Sequence, residues 1–565
     1  MIRLPLCAAF LALLTPIATS QTCALVADLS TGSAPSSPDE FTCCFGDLVF
    51  FSAAGNGIGQ EPWVSKGGRT PVLLGDLRSG SAGSFPRDFV ATGRFVFFTA
   101  DDGNAGRELW VTDGSTSGTH LVKDIHTAPN TSSDIRDLVA LDDIVLFRAD
   151  DGSNGPELWS SDGTTIGTSM VRDIRVGATG SDPSGLVACN GRVLFAANDG
   201  NVGTELWTSD GTSAGTALVA DLNPGTNSSS PRDLACIGNI VYFSARDATR
   251  GFELWSSDGT TQGTAFLADL NASGDSHPSA FTQCGMMVFF VAARTGIGFE
   301  LWVHDAAGTR LVRDIRPGGA SSSPLELTCI GTSIVFSAIT DNEGRELWKS
   351  DGTSTGTSLV LDIKPGTTSS DPTDLTAVGT RVWFQATDDK ANGLWRSDGN
   401  AASTQRHCPE LTTPRHLVLC AGRVILSAYT TQTSHEPYMV LAPGASVTQF
   451  GTTCPPRRPF LTSTLPILGQ IATLSGGNGL PNGFGVILLD VEARLPFAVP
   501  GGCLANVTPM FVLGVAVTTT WTLPVVIPNT SSLNGVALPI QTWWLPGNRF
   551  TPVRPTNAVL LGLGV

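Results

Sequence analysis

Short apolar segments separated by turns recur along the first 450 or so residues of the chain. In one unit, residues 137–141 and 144–149 are rich in apolar and β-branched side chains, and the polar turn 150–155 follows them. Two further segments, 157–161 and 169–174, flank the turn Asp162-Gly163-Thr164. Runs of about four to eight residues bounded by Gly, Asn, Asp and Ser are typical of β-strands joined by hairpins. The pattern therefore predicts four short antiparallel strands in each unit.

The unit recurs nine times, and its third strand contains an aromatic residue at a fixed position. These aromatic residues stand 43 to 49 residues apart, at Trp63, Trp110, Trp159, Trp207, Trp255, Trp302, Trp348, Trp395 and Tyr438. Four strands in such a repeat are the content of a propeller blade. We expect an all-β protein whose residues 21–454 form a β-propeller of about nine four-stranded blades. Eight blades are the alternative, since nine exceed the usual number.

Two expectations about packing follow from this architecture. Either segment 24–29 or segment 446–450 should complete the last blade, because closing the ring removes an exposed sheet edge. The third-strand residues Trp159, Trp207 and Trp255 should be buried between neighbouring blades, where side chains on both faces of a sheet meet the next sheet.

The repeat also resembles a known family. Residues 108–114 read Glu-Leu-Trp-Val-Thr-Asp-Gly and residues 346–352 read Glu-Leu-Trp-Lys-Ser-Asp-Gly. On this motif the chain resembles the bacterial ELWxxDGT-repeat proteins over roughly residues 23–450. The resemblance implies repeat architecture and export. It implies no reaction, because the family is defined by its repeat.

Residues 455–565 have a different character, with very few charged side chains. Apolar segments at 484–489, 511–517, 520–527, 536–543 and 558–563 alternate with Pro- and Gly-containing turns, which predicts a small β-sandwich. Through Gly501-Gly502-Cys503-Leu504, Ile527-Pro528-Asn529 and residues 556–559, this region resembles the C-terminal domains of exported planctomycete-type proteins. That resemblance implies attachment, sorting or display.

The first 20 residues predict export. Arg3 precedes an apolar run at 4–14, and the small residues Ala18-Thr19-Ser20 follow it, which is the pattern of a cleavable signal peptide. No later stretch reaches 18 uninterrupted apolar residues, so no transmembrane segment is expected after cleavage. We therefore expect a secreted or cell-surface protein.

Composition and charge narrow the function classes. The chain has 63 Gly and 35 Pro residues, which is a turn-rich profile. Its net charge is −16, and the acidic excess precedes residue 455. Because no basic stripe is present to displace counterions from phosphates, nucleic acid is not an expected partner.

Eleven cysteines follow the predicted signal peptide. Six of them fall near the end of a first strand, and side chains at equivalent positions of neighbouring blades are expected to point the same way, so we expect these cysteines to be unpaired small hydrophobic residues: Cys44, Cys189, Cys236, Cys284, Cys329 and Cys420. Cys454 with Cys503 and Cys408 with Cys420 are the candidate disulfides.

Catalytic motifs are absent from the sequence. None of the seven histidines forms a recognisable motif with a Ser or Cys nucleophile, and no zinc-binding pattern occurs. Carboxylate pairs recur in nearly every blade, whereas an active site should occur once. We assign no catalytic and no cofactor-binding residue.

Calcium is the one ligand that the repeat itself suggests. Acidic residues at the second-to-third-strand loop, at the start of strand three and after strand four should meet at one end of a blade, and calcium prefers such oxygen ligands. The candidate ligands are Asp101, Asp102, Glu108 and Asp124 in the second blade and Asp150, Asp151, Glu157 and Asp173 in the third. Alternatively, Asp102 and Asp151 cap their own turns while Glu108 pairs with Lys123 and Glu157 with Arg172.

We therefore expect a secreted or cell-surface, non-catalytic binding or display protein with an extracellular glycan or protein as ligand. A propeller enzyme acting on glycans, as hydrolase or lyase, and a structural envelope component are the alternatives. An enzyme needs one blade whose inner loops break the repeat with unique His, Arg, Tyr or acidic residues. Blades six and nine are the most aberrant, yet in the sequence they lose charge rather than gain such a set.

Overall fold

The computed structural model describes residues 23–31 and 35–440 and a set of short strands beyond them. The chain divides into two compact units, Met1–Ala445 and Ser446–Val565. The strands of the second unit are Leu461–Ser463, Ile471–Gly476, Phe484–Leu489, Phe497–Ala498, Leu504–Ala505, Phe511–Ala516, Trp521–Val526, Ala537–Leu545, Arg554–Pro555 and Val559–Gly562.

The first unit consists of nine four-stranded antiparallel sheets in its described residues. The first strands are Asp39–Cys44, Arg87–Ala91, Arg136–Leu141, Ser184–Cys189, Arg232–Ile237, Ser279–Cys284, Leu325–Ile330, Thr373–Val378 and Thr412–Cys420. The second strands are Leu48–Gly55, Val96–Asp101, Ile144–Asp150, Arg192–Asn198, Ile240–Ala245, Met287–Arg294, Ser333–Thr340, Arg381–Thr387 and Arg423–Tyr429. The third strands are Ile58–Lys66, Arg107–Thr112, Pro156–Ser161, Thr204–Ser209, Glu253–Ser257, Gly298–Asp305, Gly344–Ser350, Asn392–Ser397 and Glu436–Val440. The fourth strands are Val72–Leu73, His120–Lys123, Ser169–Arg172, Ala217–Ala220, Ala265–Ala268, Gly308–Arg313, Ser358–Leu361, Gln405–His407 and, for blade nine, Cys23–Leu25.

These sheets are the blades of a closed nine-bladed β-propeller, as the repeat predicts. The first strands of all successive blades contact one another, and blade nine contacts blade one in the same way. The first strands therefore surround the central channel. The loops between strands two and three, and those from strand four to the next blade, lie on one face of the ring, which we call the loop face. The Asp-Gly-Thr hairpins lie on the opposite face, the hairpin face.

The ring is closed by the N-terminal strand. Cys23–Leu25 pairs antiparallel with the third strand of blade nine, with Cys23 opposite Val440 and Leu25 opposite Tyr438. Closure by one of the two predicted segments is thus confirmed for the segment near residue 24, and the strand is shorter than residues 24–29. The alternative segment, 446–450, lies outside the described residues.

Hydrophobic clusters fill the space between neighbouring sheets. Phe195 and Trp207 of blade four pack with Leu146 and Leu158 of blade three. The tryptophans at 159, 207 and 255 are 6%, 5% and 9% exposed, so their predicted burial between blades is confirmed.

Replacing Trp207 by alanine should lower the free energy of unfolding by about 3–5 kcal/mol, because a large side chain leaves a cavity between two sheets. Urea unfolding followed by circular dichroism measures this. Ile166→Ala is the control, since Ile166 is 98% exposed and should change stability by less than about 0.5 kcal/mol. Equal effects of the two substitutions would contradict the packing role of Trp207.

Four disulfides join neighbouring blades, and this overturns the expectation of unpaired cysteines. The bridges are Cys23–Cys408, Cys43–Cys420, Cys189–Cys236 and Cys284–Cys329. Cys408 and Cys420, paired with each other in the sequence prediction, each bond a cysteine near the N-terminus instead. Of the cysteines in the described residues, only Cys44 is free, and burial raises the pKa of its thiol to about 12.

The reason for the error is an offset of one residue. Cys189 is the last residue of its strand, whereas Cys236 is the last but one. Adjacent residues of a strand point to opposite faces of the sheet. Cys189 of blade four therefore faces blade five, and Cys236 of blade five faces blade four. The first strands lie so close around the channel that the Cα atoms of Cys189 and Cys236 are 5.5 Å apart. Four disulfides are consistent with an extracellular protein.

In the second unit, strands occupy all five of the segments predicted there. The strand Phe484–Leu489 pairs antiparallel with both Phe511–Ala516 and Ala537–Leu545. The β-sandwich stays a prediction. The signal peptide and the Cys454–Cys503 pair lie outside the described residues.

Candidate functional site

The mouth of the channel on the loop face is built from nine copies of one local motif. At the start of each first strand, two residues three positions apart have φ between 44° and 64°. In eight blades a proline follows the first of them, and Ile135 takes this place in blade three. The pairs are Ser37 and Glu40, Phe85 and Asp88, Asp134 and Asp137, Asp182 and Gly185, Ser230 and Asp233, His277 and Ala280, Ser323 and Glu326, Asp371 and Asp374, and Thr413 and His416. A register shift accompanies each motif, for example between Asp39 and Thr42, and such bulges re-aim side chains.

Carboxylates of this motif latch one blade to the next. Asp374 accepts a hydrogen bond from the backbone N–H of His416 at 2.8 Å, and Asp137 accepts one from Gly185 at 3.1 Å. Glu40 accepts from Asp88 at 3.2 Å in the same way. Several acidic side chains at the mouth are therefore bound to the protein's own backbone.

A second recurrent carboxylate holds the loops of this face. The glutamate of strand three is at most 1% exposed in eight blades: Glu61, Glu108, Glu157, Glu205, Glu253, Glu300, Glu346 and Glu436. In blade seven, Glu346 accepts hydrogen bonds from the Ser370 hydroxyl at 2.6 Å and from the backbone N–H groups of Ile363 and Ser370 at 3.0 and 2.9 Å. Each glutamate thus clasps the loop that leads to the next blade.

Burial raises the pKa of all eight glutamates, since desolvation disfavours the charged form. The hydrogen bonds from serine and backbone donors oppose this without cancelling it. For Glu108 and Glu346 the pKa is about 7, and Asp124 adds to the shift of Glu108 by charge repulsion.

The structure divides the predicted calcium ligands of blade two between different roles. Asp102 caps its own turn by accepting from the backbone N–H of Asn104 and of Ala105, both at 2.8 Å. Asp101 forms an ion pair with Arg78 at 2.9 Å. Glu108 clasps Ser133, while one buried oxygen of Asp124 has no hydrogen-bond partner.

Blade three repeats this arrangement in most respects. Asp150 and Asp151 accept from the backbone of their own loop, Glu157 clasps Ser181 at 2.5 Å, and a buried oxygen of Asp173 is unpartnered. Among the described residues, no group of three or more His, Cys, Asp or Glu side chains is arranged to hold a metal ion. Calcium binding stays a prediction.

The alternative interpretation of these residues is right for the turns and wrong for the lysine and arginine. Asp102 and Asp151 do cap their turns. Lys123 does not pair with Glu108, because its ammonium reaches the Thr168 carbonyl of the next blade at 2.8 Å. Arg172 likewise bonds the Thr216 carbonyl, so both cations tie strand four to the neighbouring hairpin.

A pocket of about 390 Å³ opens at the mouth where blades nine, one and two meet. We call it the seam pocket. Its lining is Ser37, Pro38, Asp39, Glu40, Ser52 and Gln60 of blade one, Phe85, Pro86 and Arg87 at the entry to blade two, and Arg415, His416, Ser427 and His435 of blade nine. Both signs of charge, two imidazoles and several hydroxyls therefore face one cavity.

Ion pairs and hydrogen bonds across the seam order this lining. His416 Nδ1 lies 3.2 Å from Asp39 Oδ1. Arg415 donates from Nη2 to His435 Nε2 at 2.9 Å. Burial, followed by the charge of Arg415, lowers the pKa of His435.

His435 consequently holds a buried hydrogen-bond donor. A neutral imidazole that accepts at Nε2 carries its hydrogen on Nδ1, and His435 Nδ1 is buried without a partner. A buried donor left unsatisfied costs free energy.

The structure corrects the view that blade nine only loses charge. Arg415, His416 and His435 of blade nine converge with Asp39 of blade one. The sequence holds one signal for this: the Arg415-His416 pair stands where other blades have Arg-Asp, and His435 precedes the clasp Glu436. The convergence itself depends on ring closure, which places blade one next to blade nine.

The seam pocket contains one element of hydrolytic chemistry and lacks the next. Asp39 lies beside the His416 imidazole, as an aspartate lies beside the histidine of a general-base pair. In the described part of the chain, no Ser, Thr or Cys side chain is hydrogen-bonded to the His416 imidazole.

No helix among the described residues is long and apolar enough to cross a membrane.

No protein-family model and no curated protein matches the chain. Several solved structures are similar to parts of the chain at low identity. One describes two prolyl endopeptidases, with a TM-score of 0.38 and 8% identity over 71% of this chain and 56% of that one. Another is a puromycin hydrolase, with a TM-score of 0.33 and 16% identity over 63% and 59%.

A third is the β-propeller domain of the Trilobed protease from Pyrococcus furiosus, with a TM-score of 0.32 and 12% identity over 56% of this chain and 96% of that one. The chain spans less than three fifths of the length of the first two structures. With TM-scores below 0.5, these likenesses carry no argument about the fold or the activity of this chain.

Proposed function

We propose that the protein is an extracellular, non-catalytic binding protein whose seam pocket holds a segment of a glycan. The observation that carries the proposal is the seam pocket itself, in which Arg415, at a position where blades two, three and five also have arginine, converges with Asp39, His416 and His435 on one cavity of about 390 Å³.

The chemistry of the lining suits a polyhydroxylated ligand. Sugar hydroxyls both donate and accept, and the seam pocket offers carboxylate acceptors together with guanidinium and imidazole donors. Phe85, 49% exposed, supplies an apolar surface at the rim. A volume of this size is in the range of small-ligand sites.

The scaffold suits a recognition role. The ring is closed by strand pairing and by two disulfides at the seam, so the lining is held rigidly, and a rigid scaffold that presents loops is typical of binding proteins. A hydrolase would need a nucleophile or an activated water at His416, and the Asp39–His416 pair is the one feature that favours it. We propose in addition that the chain is related to the ELWxxDGT-repeat proteins and that its C-terminal unit serves for attachment.

Arg415→Gln tests the proposal. The full secreted chain is applied to an array of purified neutral and acidic glycans, and the affinity for the best binder is measured by calorimetry. We expect the substitution to weaken binding about tenfold or more, because it removes a charged hydrogen-bond donor. Arg192→Gln is the matched control, since Arg192 lies on the hairpin face beside Gly215 and should leave the affinity unchanged.

Two results would overturn the proposal. The first is that the wild-type protein binds no glycan on the array, and the second is that wild type and Arg415→Gln bind the best glycan with equal affinity. Release of new reducing ends from a bound glycan would show instead that the Asp39–His416 pair works as part of an enzyme.

A further inference from the structure

A cationic cluster on an aromatic ring lies at the channel mouth between blades five and six. It consists of Arg232, Arg246, Phe252, Asp275 and His277, and we call it the Phe252 cluster. None of these residues lines the seam pocket, and blades five and six stand well away from blades nine and one around the ring.

Stacking fixes the geometry of the Phe252 cluster. The Arg232 guanidinium carbon lies 3.5 Å from the centroid of the Phe252 ring, and that of Arg246 lies 5.4 Å away. The His277 ring is 5.3 Å from the same centroid and accepts a hydrogen bond from Arg232 Nη2 at 2.6 Å. Asp275 accepts from the backbone N–H of Phe252 at 2.7 Å, which holds the loop that carries the ring.

The positive charge of the Phe252 cluster is not neutralised by an ion pair. Within the described chain, neither Arg232 nor Arg246 has a carboxylate within salt-bridge distance, whereas Arg136, at the position of Arg232 in blade three, is paired with Asp134 at 2.8 Å. Arg246 uses Nε to reach the Ser228 carbonyl at 3.0 Å, so its terminal nitrogens stay available.

The nearby acids compensate for the two arginines only in part. Asp275 is bound to the Phe252 backbone and lies 3.7 Å from His277. Burial raises the pKa of Asp233, while the charges of Arg232 and His277 lower it. Elsewhere at the mouth, acids such as Glu40 and Asp374 are bound to the backbone of the next blade.

We infer that the Phe252 cluster is a second subsite that binds the carboxylate or sulfate group of an acidic saccharide. A guanidinium presents a planar fork of donors that matches carboxylate and sulfate oxygens, and stacking on an aromatic face holds that fork in place. Two unpaired guanidiniums beside one ring repel each other, and an anion between them relieves this repulsion. The inference rests on the proposed function for the saccharide nature of the ligand.

The test uses three probes of similar length: an oligogalacturonate with carboxylates, a sulfated dextran oligosaccharide and a neutral dextran oligosaccharide. Affinities of the full chain are compared for wild type, Arg232→Gln/Arg246→Gln and Arg192→Gln. We expect the double variant to bind at least one acidic probe about tenfold more weakly, with Arg192→Gln unchanged. Wild-type binding of the acidic probe should also weaken as salt increases, whereas the double variant should lose most of this dependence.

The carboxylated and sulfated probes separate the two sources of the anion. The inference would be overturned if the double variant bound each acidic probe with the same affinity as wild type. It would also be overturned if wild type bound the neutral probe more tightly than either acidic probe. The substituted residues Arg192, Arg232 and Arg246 are exposed, so the substitutions should not disturb the fold. A thermal unfolding midpoint equal to that of wild type confirms that each variant is folded.

The variant Arg415→Gln distinguishes this inference from the proposed function. If Arg415→Gln weakens binding and the double variant does not, the proposed function stands and the Phe252 subsite fails. If only the double variant weakens binding, the subsite stands and the seam pocket fails. Binding of none of the probes by wild type overturns the subsite.

Discussion

Replacing the four seam cysteines, Cys23, Cys43, Cys408 and Cys420, by serine should lower the free energy of unfolding by about 5 kcal/mol or more. The bridges Cys23–Cys408 and Cys43–Cys420 span 385 and 377 residues. A cross-link over a loop of about 100 residues already contributes about 4.7 kcal/mol in the chain-entropy model, and longer loops contribute more. Both bridges must be removed, because either one alone still closes the large loop.

Urea unfolding under non-reducing conditions measures this effect. Cys44→Ser is the control, because Cys44 is free and its replacement should cost about 1 kcal/mol or less. Hydrogen exchange should show in addition that the backbone N–H groups of residues 23–25 lose protection in the four-serine variant. A variant with an unchanged unfolding midpoint would show that strand pairing alone closes the ring.

Thermal stability should fall as the pH rises from about 4.5 to 7. The eight clasp glutamates have a folded-state pKa above their ordinary value, and for Glu108 and Glu346 it is about 7. Below about pH 4.5 they are protonated in both states, and their contribution to stability is fully present. As the pH rises through the folded pKa this contribution is lost, because ionisation then favours the unfolded chain.

At lower pH the hairpin aspartates act in the opposite direction. Hydroxyls of the hairpin lower the pKa of Asp162 and Asp351 through hydrogen bonds from Thr164 and Thr353. Their contribution is present above the ordinary aspartate pKa and disappears as the pH falls through the folded pKa. The melting temperature should therefore be highest near pH 4 to 5 and lower on both sides.

Calorimetric scans from about pH 3 to 9 test this profile. The variant Glu108→Gln/Glu346→Gln removes two titrating groups and should flatten the decline between about pH 4.5 and 7. Glu410→Gln, at an exposed glutamate, should leave the profile unchanged. A melting temperature that rises steadily from pH 4.5 to 7 would show that the serine and backbone donors hold the clasps ionised.

The clasp glutamates also show what a sequence pattern can predict about a site and what it cannot. The repeat of Glu and Asp at fixed spacing predicts that these side chains meet at one end of each blade, and the structure shows each Glu bound to the loop that follows strand four. The repeat does not tell a metal site from a hydrogen-bonded clasp, because both need oxygen atoms at the same place. The distinction depends on the Ser370 hydroxyl and the backbone N–H of Ile363, which reach Glu346 directly.

The sequence by itself determined the nine-fold repeat, the four strands of each blade and the burial of the third-strand tryptophans, and it narrowed the closing strand to two segments, of which the structure uses the N-terminal one. These features follow from local periodicity and turn chemistry repeated along the chain. The tertiary structure alone decided which cysteines pair, since that depends on the facing of Cys189 and Cys236 across a close pair of inner strands. It also decided the seam pocket, because ring closure brings Asp39 to His416, two residues 377 positions apart that no local pattern relates.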